Sequence, residues 1–291
     1  MFPVHAGCDS ILPSQGPLAR SLRDIELFCT AYSSCQPWIN DPTLIPCDIL
    51  NPSLGRQPIP GKPLRVGVLT YDGVAAPLPP VRRVIEQVRD KLGNSSGIEV
   101  VPFEPYDHAR GWSIITANFF EEDGDDIRRK CAEGGEPVLP LTDWIIDQVA
   151  ANEKVVGKTV QDRKVARDEF RQEYRAHWNK SGVDVVVAPV TAGCAPVQGT
   201  SKYWGYTCIW NLLSHASIAL PGAALIGEAN SVEDLSKEVY EPKNDIEAHL
   251  FKHYSPKTSA GLPVGIQVVA PRFNESLAMK AAYIVEAALK A

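Results

Sequence analysis

Gly261-Leu-Pro-Val-Gly-Ile-Gln-Val-Val-Ala270 is the stretch on which the fold turns. Gly261 and Pro263 punctuate the chain, and a short apolar run rich in β-branched residues follows. A run of this kind, without polar alternation, reads as a strand buried on both faces. Gln267 stands alone as a polar residue within it. A buried amide needs hydrogen-bond partners, so Gln267 is expected to be a structural hydrogen bonder, with a place beside a site as the other option.

The elements around this strand fit the same plan. The helix Ser276–Lys290 closes the chain. Upstream, Val183-Asp-Val-Val-Val-Ala188 is a second buried strand, ended by Pro189. Leu64–Leu69, the amphipathic helix Pro80–Leu92 and Ile98–Val101 give a strand–helix–strand unit, which builds parallel or mixed sheets. Tyr206–Leu213 reads as a helix leading into the short strand Ser217–Leu220.

Residues 17–35 read as a helix capped by Ser21 and Asp24, with an apolar face of Leu22, Ile25, Leu27 and Phe28. Residues 109–178 are mainly helical, broken at 121–126 and 134–137. The charged helix Asp162–Asn179 is expected to present a solvated face. Prolines crowd residues 37–63, which read as a surface connection, and 228–258 form a second polar excursion. The sum is an α/β fold, layered α/β/α around a mixed central sheet, with no flexible linker to divide residues 1–291.

Composition narrows the function. The chain has 291 residues, enough for a sizeable core, with 44% hydrophobic and 22% charged, an ordinary globular balance. A net charge of −6, spread along the chain, offers no basic stripe for nucleic acid. No stretch approaches the ~20 apolar residues of a membrane span, and the N-terminus does not read as a signal peptide. The seven cysteines are scattered and odd in number, which fits reduced thiols and a cytoplasmic protein.

Most local motifs fail on spacing. Gly157-Lys-Thr159 lacks the glycine of a phosphate loop, since Asn152 holds that position. No GxGxxG occurs. His249 and His253 could share a helix face and two zinc-ligand positions, but no third ligand is evident, so no metal or other cofactor is expected. Cys194, after the Val183–Ala188 strand, is the best-placed thiol nucleophile. Its other reading is a small buried residue in a tight turn, and Cys8 and Cys208 have less support. The acidic run Glu121–Asp126 reads as a solvated loop.

Several segments, taken in order, resemble the amidase signature family, and the fungal acetamidase-like branch in particular. They are Gly7–Ile11 with Pro13-Ser-Gln-Gly-Pro-Leu-Ala-Arg-Ser21, Gln36-Pro-Trp38 with Asp41-Pro42, and Val183–Pro189. Trp204–Leu213 with Ser217–Pro221, Tyr240–Asp245 and Gly261–Val269 complete the set. The resemblance covers the C-terminal portion of the family's plan. It implies hydrolysis of small aliphatic or aromatic carboxamides to carboxylate and ammonia. In the family a serine attacks the carbonyl, a second serine preceded by a cis peptide relays its proton to a neutral lysine, and backbone N–H groups hold the oxyanion.

Those residues precede the Gly-Pro-Leu-Ala-Arg-Ser segment, and here only fifteen residues come before Gly16. None is a lysine, and neither Ser10 nor Ser14 stands in a Gly-Ser-Ser-Gly-Gly setting. Lys62 and Lys158 match nothing in the family pattern. No catalytic residue is therefore assigned. By analogy Tyr203, Trp204, Tyr206 and Trp210 are candidates for the acyl-pocket wall, with core packing as their other reading.

Three expectations compete. The chain is a partial amidase domain, inactive alone, whose exposed edge and apolar surface favour self-association. Or it hydrolyses an amide once an N-terminal half is supplied. Or it is a binding or scaffold remnant of the fold. A cysteine hydrolase is a distant fourth.

Overall fold

The structure is a computed structural model and describes residues 9–53, 59–225 and 240–291. Gly7, Cys8 and the 228–239 part of the polar excursion lie outside the described residues. Five short strands form one sheet: β1 (Leu64–Val68), β2 (Ile98–Pro102), β3 (Val185–Pro189), β4 (Ala216–Leu220) and β5 (Ile266–Ala270). Their order is β2-β1-β3-β5-β4. β1 runs parallel to β2 and β3, whereas β5 is antiparallel to β3 and β4, so the sheet is mixed. The two apolar runs, β3 and β5, sit side by side, and every residue in them is buried.

Helices cover both faces. One layer holds α1 (Leu22–Ser34), α2 (Pro79–Gly93), the short α9 (Gly222–Leu225) and α12 (Glu275–Lys290). Its core is aliphatic, with Val66, Val84, Ile85, Leu92, Val268, Leu277 and Val285 almost wholly buried. The opposite layer is built on α3 (His108–Asn118), α7 (Val160–Ser181) and α8 (Gly205–Leu213). Outside these lie α4 (Asp125–Gly134), α5 (Pro140–Ala151) and α6 (Glu153–Val156), and α10 (Asp245–Lys252) and α11 (Pro256–Ser259) follow α9. Among the described residues no helix is long and apolar enough to cross a membrane.

Local chemistry explains most helix ends. Ser21 is extended (φ −146°) and its side chain accepts from the Asp24 N–H, so α1 starts at Leu22 and residues 17–21 do not join it. Its expected apolar face is split. Leu22 is buried and Ile25 packs on the aliphatic core, but Leu27 and Phe28 are 67% and 49% exposed. Five residues of helical rotation carry Leu27 well away from the line of Leu22.

Two further corrections concern polar segments. α7 has the expected charged surface and a capping box at Thr159 and Asp162, but Phe170, Tyr174 and Trp178 form a buried stripe along it. Their four-residue spacing places them on one face. The described part of 228–258 is largely helical, because Asn244 caps α10 by accepting from the Glu247 N–H. Residues 37–63 contain only a 3₁₀ turn at Pro37–Ile39 and the start of no helix among those described.

Candidate functional site

β1 and β3 are parallel, so their carboxyl ends open on the same side of the sheet, where ligands collect in α/β folds. The turn after β1 is organised by Asp72, which is fully buried. Its Oδ1 accepts from the N–H groups of Val74 and Ala75, at 2.9 and 2.8 Å, closing an Asx turn. Its Oδ2 accepts from the Tyr203 hydroxyl at 2.6 Å. The Tyr206 hydroxyl donates to the Ala75 carbonyl at 2.8 Å and accepts from the Asp72 N–H. Burial pushes the Asp72 carboxyl above its usual range, and the bonds from Tyr203, Ala75 and Val74 oppose that rise. The Tyr203 and Tyr206 hydroxyls are held protonated, first by burial and then by the nearby Asp72.

A second buried carboxylate ties α10 to the same turn. Glu247 has no exposed surface and accepts from Ala76 N–H (2.9 Å), the Tyr240 hydroxyl and Lys243 N–H (both 2.8 Å). Asn244 reaches the Val74 carbonyl. The turn also meets the loop after β3, since Leu78 N–H donates to the Ala192 carbonyl. The two loops approach closely there: a Cβ on Gly193 would stand 2.9 Å from Leu78 Cδ1, at the tip of that side chain.

Beside these contacts lies an open recess of about 290 Å³ between Leu78, the 193–197 loop, residues 200–203 and the 249–262 segment. The volume is at the lower end for small-molecule sites, about 300 Å³. Leu78, Val197, Leu250 and Leu262 give it apolar walls, and Lys202, His249 and His253 add polar groups. The two histidine rings lie 4.7 Å apart, and His249 Nε2 is hydrogen-bonded to the Thr200 carbonyl at 2.8 Å. Desolvation, and then the neighbouring His249, Lys252 and Lys202, depress the His253 pKa. Among the described residues no group of three or more His, Cys, Asp or Glu side chains comes together to hold a metal.

The sequence-derived candidates separate. Tyr203 lines the cavity. Tyr206 lies beneath, on the Asp72 turn. Trp204 is partly buried among Trp112, Phe119 and Trp144 and donates to Ser201 Oγ. Trp210 is buried between His108, Tyr174 and His215. Cys194 is buried and lines the cavity, while burial pushes the Cys208 thiol up and away from thiolate chemistry. Gln267 is a structural hydrogen bonder: Nε2 donates to the Pro189 and Tyr206 carbonyls, and Oε1 accepts from Ser217.

Sequence reasoning missed Asp72, Glu247 and the placing of His249 and His253 on the cavity. Asp72-Gly73 just after a strand is a turn signal, and Asn244-x-x-Glu247 is a helix-start signal. Neither reports burial.

Comparison with known proteins adds a frame. The family model described as Amidase matches residues 2–279. A putative amidase of Schizosaccharomyces pombe is 34% identical over 270 residues, 93% of this chain and 49% of that protein. An acetamidase of Aspergillus oryzae is 27% identical over 278 residues, 92% of this chain and 50% of its own. The solved structure of a fatty acid amide hydrolase superposes with a TM-score of 0.81 at 24% identity, over 98% of this chain and 50% of that one. The chain thus spans about half the length of the relatives it matches.

Proposed function

Because this chain belongs to the amidase family, we propose that it forms the substrate-wall half of a hydrolase converting small aliphatic or aromatic carboxamides to carboxylates and ammonia. The supporting observation is the recess at the carboxyl ends of β1 and β3, lined by Tyr203 and bordered by apolar side chains. Such a recess suits the acyl part of an amide. Trp204, Tyr206 and Trp210 act at one remove, by fixing the loop and helix that carry the wall.

The attacking serine, its partner serine and the lysine come from a complementary half, since no lysine and no Gly/Ser-rich stretch stand ahead of the Gly16-Pro-Leu-Ala-Arg-Ser21 segment, the order that the family uses. The chain alone is then inactive. None of the six described cysteines is in a disulfide, which supports a cytoplasmic setting.

Purified chain mixed with acetamide or benzamide is expected to release no ammonia. The same chain co-expressed with a family half carrying the Ser-Ser-Lys set is expected to release it. Ammonia from the isolated chain, surviving replacement of every serine, would overturn the serine-hydrolase reading. Benzamide binding is expected to move the His253 ring resonances. If it moves them and the completed pair still yields no ammonia, the protein is a binding or scaffold remnant.

A further inference from the structure

The recess is apolar on its sides, where Leu78, Val197, Leu250 and Leu262 line it. Its charge is of one sign. Lys202, His249 and His253 supply the basic lining, and among the described residues no aspartate or glutamate lines it. The two buried carboxylates of the adjoining turn are spent elsewhere. Asp72 accepts from Val74, Ala75 and Tyr203, and Glu247 accepts from Ala76, Tyr240 and Lys243.

The donors of the recess are also underused. Lys202 Nζ stands 5.5 Å from the centre of the Trp144 ring, and among the described residues no carboxylate pairs with it. His249 Nε2 faces the Thr200 carbonyl, which can only accept, so that nitrogen carries the proton and the ring is fixed. His253 makes no side-chain hydrogen bond among the described residues. Its pKa is lowered by desolvation and then by His249, Lys252 and Lys202, a set of neighbours with no carboxylate to offset them. The Tyr254 hydroxyl is buried without a partner. Burial pushes its pKa up to about 12, so at neutral pH it keeps its proton and remains a donor. A buried donor without an acceptor costs free energy until something accepts from it.

We infer that the recess selects an acyl group whose far end carries a carboxylate, met by Lys202, His253 and Tyr254. The preferred substrate is then the half-amide of a short dicarboxylic acid. Its methylenes lie against Leu78, Leu250 and Leu262, and a recess of about 290 Å³ suits a chain of a few carbons. Inorganic phosphate would meet the same donors but leave the apolar walls unused. Hydrolysis needs no further reactant: the oxygen of water joins the acyl carbon, the C–N bond breaks, and a dicarboxylate and ammonia leave. The inference rests on the reading of this chain as the wall half of an amide hydrolase. Its readout is binding, which does not depend on turnover.

The experiment titrates the purified chain with glutaramate, with its neutral counterpart pentanediamide and with inorganic phosphate, by calorimetry and by the ring resonances of His253. Glutaramate is expected to bind about tenfold tighter than pentanediamide, the size of one charge-assisted hydrogen bond, and to move the His253 resonances. Lys202→Met is expected to abolish that preference, and Lys202→Arg to restore most of it. Tyr254→Phe, which removes an unpartnered hydroxyl, should weaken glutaramate by about threefold without lowering the melting temperature. Circular dichroism of each variant checks its fold. The inference fails if the two amides bind equally, if neither binds, if phosphate displaces glutaramate at equal concentration, or if Lys202→Met keeps the preference. Glutaramate binding without ammonia from the completed pair would remove the hydrolase reading and leave the carboxylate pocket. Ammonia from the completed pair with no preference for glutaramate would remove this inference alone.

Discussion

The two helical layers on the sheet bury similar numbers of large side chains but differ in kind. The α2/α12 layer is aliphatic, and none of its fully buried side chains is aromatic. The α3/α7/α8 layer holds Trp112, Phe170, Tyr174, Trp178, Tyr203, Tyr206 and Trp210, and with them the buried polar groups Asp72, His108 and Gln267. An aliphatic core asks only for volume. An aromatic core with hydroxyls and imidazoles must also satisfy hydrogen bonds. Both layers reach the cavity, Tyr203 and Leu250 from the second and Cys194 and Leu262 from the first, but the hydrogen-bonded Asp72–Tyr203 contact that fixes its wall belongs to the second.

The contrast can be broken by substitution. Trp178→Ala, removing a 2% exposed ring packed edge-on to Phe103 at 5.5 Å, is expected to cost about 4 kcal/mol in urea unfolding. Leu92→Ala in the aliphatic layer should cost about 3 kcal/mol. A larger loss at Leu92 than at Trp178 would mean that the aromatic layer is the looser one.

Asp72→Ala strips the acceptor from the Tyr203 hydroxyl and two backbone N–H groups and is expected to cost about 3 kcal/mol. Asp72→Asn keeps one acceptor and should cost less. An Asp72→Asn variant as stable as the parent would show that the second acceptor oxygen adds nothing.

The polar layer should also titrate. Burial lowers the pKa of both His108 and His215 to about 3. His177 adds to the shift at His108, as do Arg175 and Arg171 at His215, and the Tyr174 hydroxyl bonds His108 Nε2 at 3.1 Å. A folded pKa below the unfolded value of about 6.5 gives stability that is whole above that pH and is lost as pH falls beneath it. Between pH 6.5 and 5 the loss should be about 2 kcal/mol for His108, and less for the more exposed His215. The raised pKa of Asp72 acts in the opposite sense, adding stability as pH falls. His108→Phe should flatten the dependence. Unfolding free energy that is flat from pH 7 to 5 in the parent would remove the distinction between the layers.

The smallest effect lies outside both layers. Thr159→Ala, which opens the capping box of α7, is expected to cost about 1 kcal/mol. A much larger loss would mean that α7 anchors the aromatic layer through its first turn and not through Phe170, Tyr174 and Trp178.

By itself the sequence determined the strands, their α/β arrangement and the family. β3 and β5 are legible because unbroken β-branched runs tolerate no other setting, and Ser21, Thr159 and Asn244 mark helix starts because an extended cap residue with a side-chain acceptor meets unpaired N–H groups whatever the tertiary context. The tertiary structure alone decided the site. Asp72, Tyr203 and Glu247 lie far apart along the chain, and only the crossover from β1 to β3 and the return through α10 bring them to one turn. Which face of α1 or α7 is buried was decided there too, because burial depends on what packs against a helix, and a helix's own pattern does not name its neighbour.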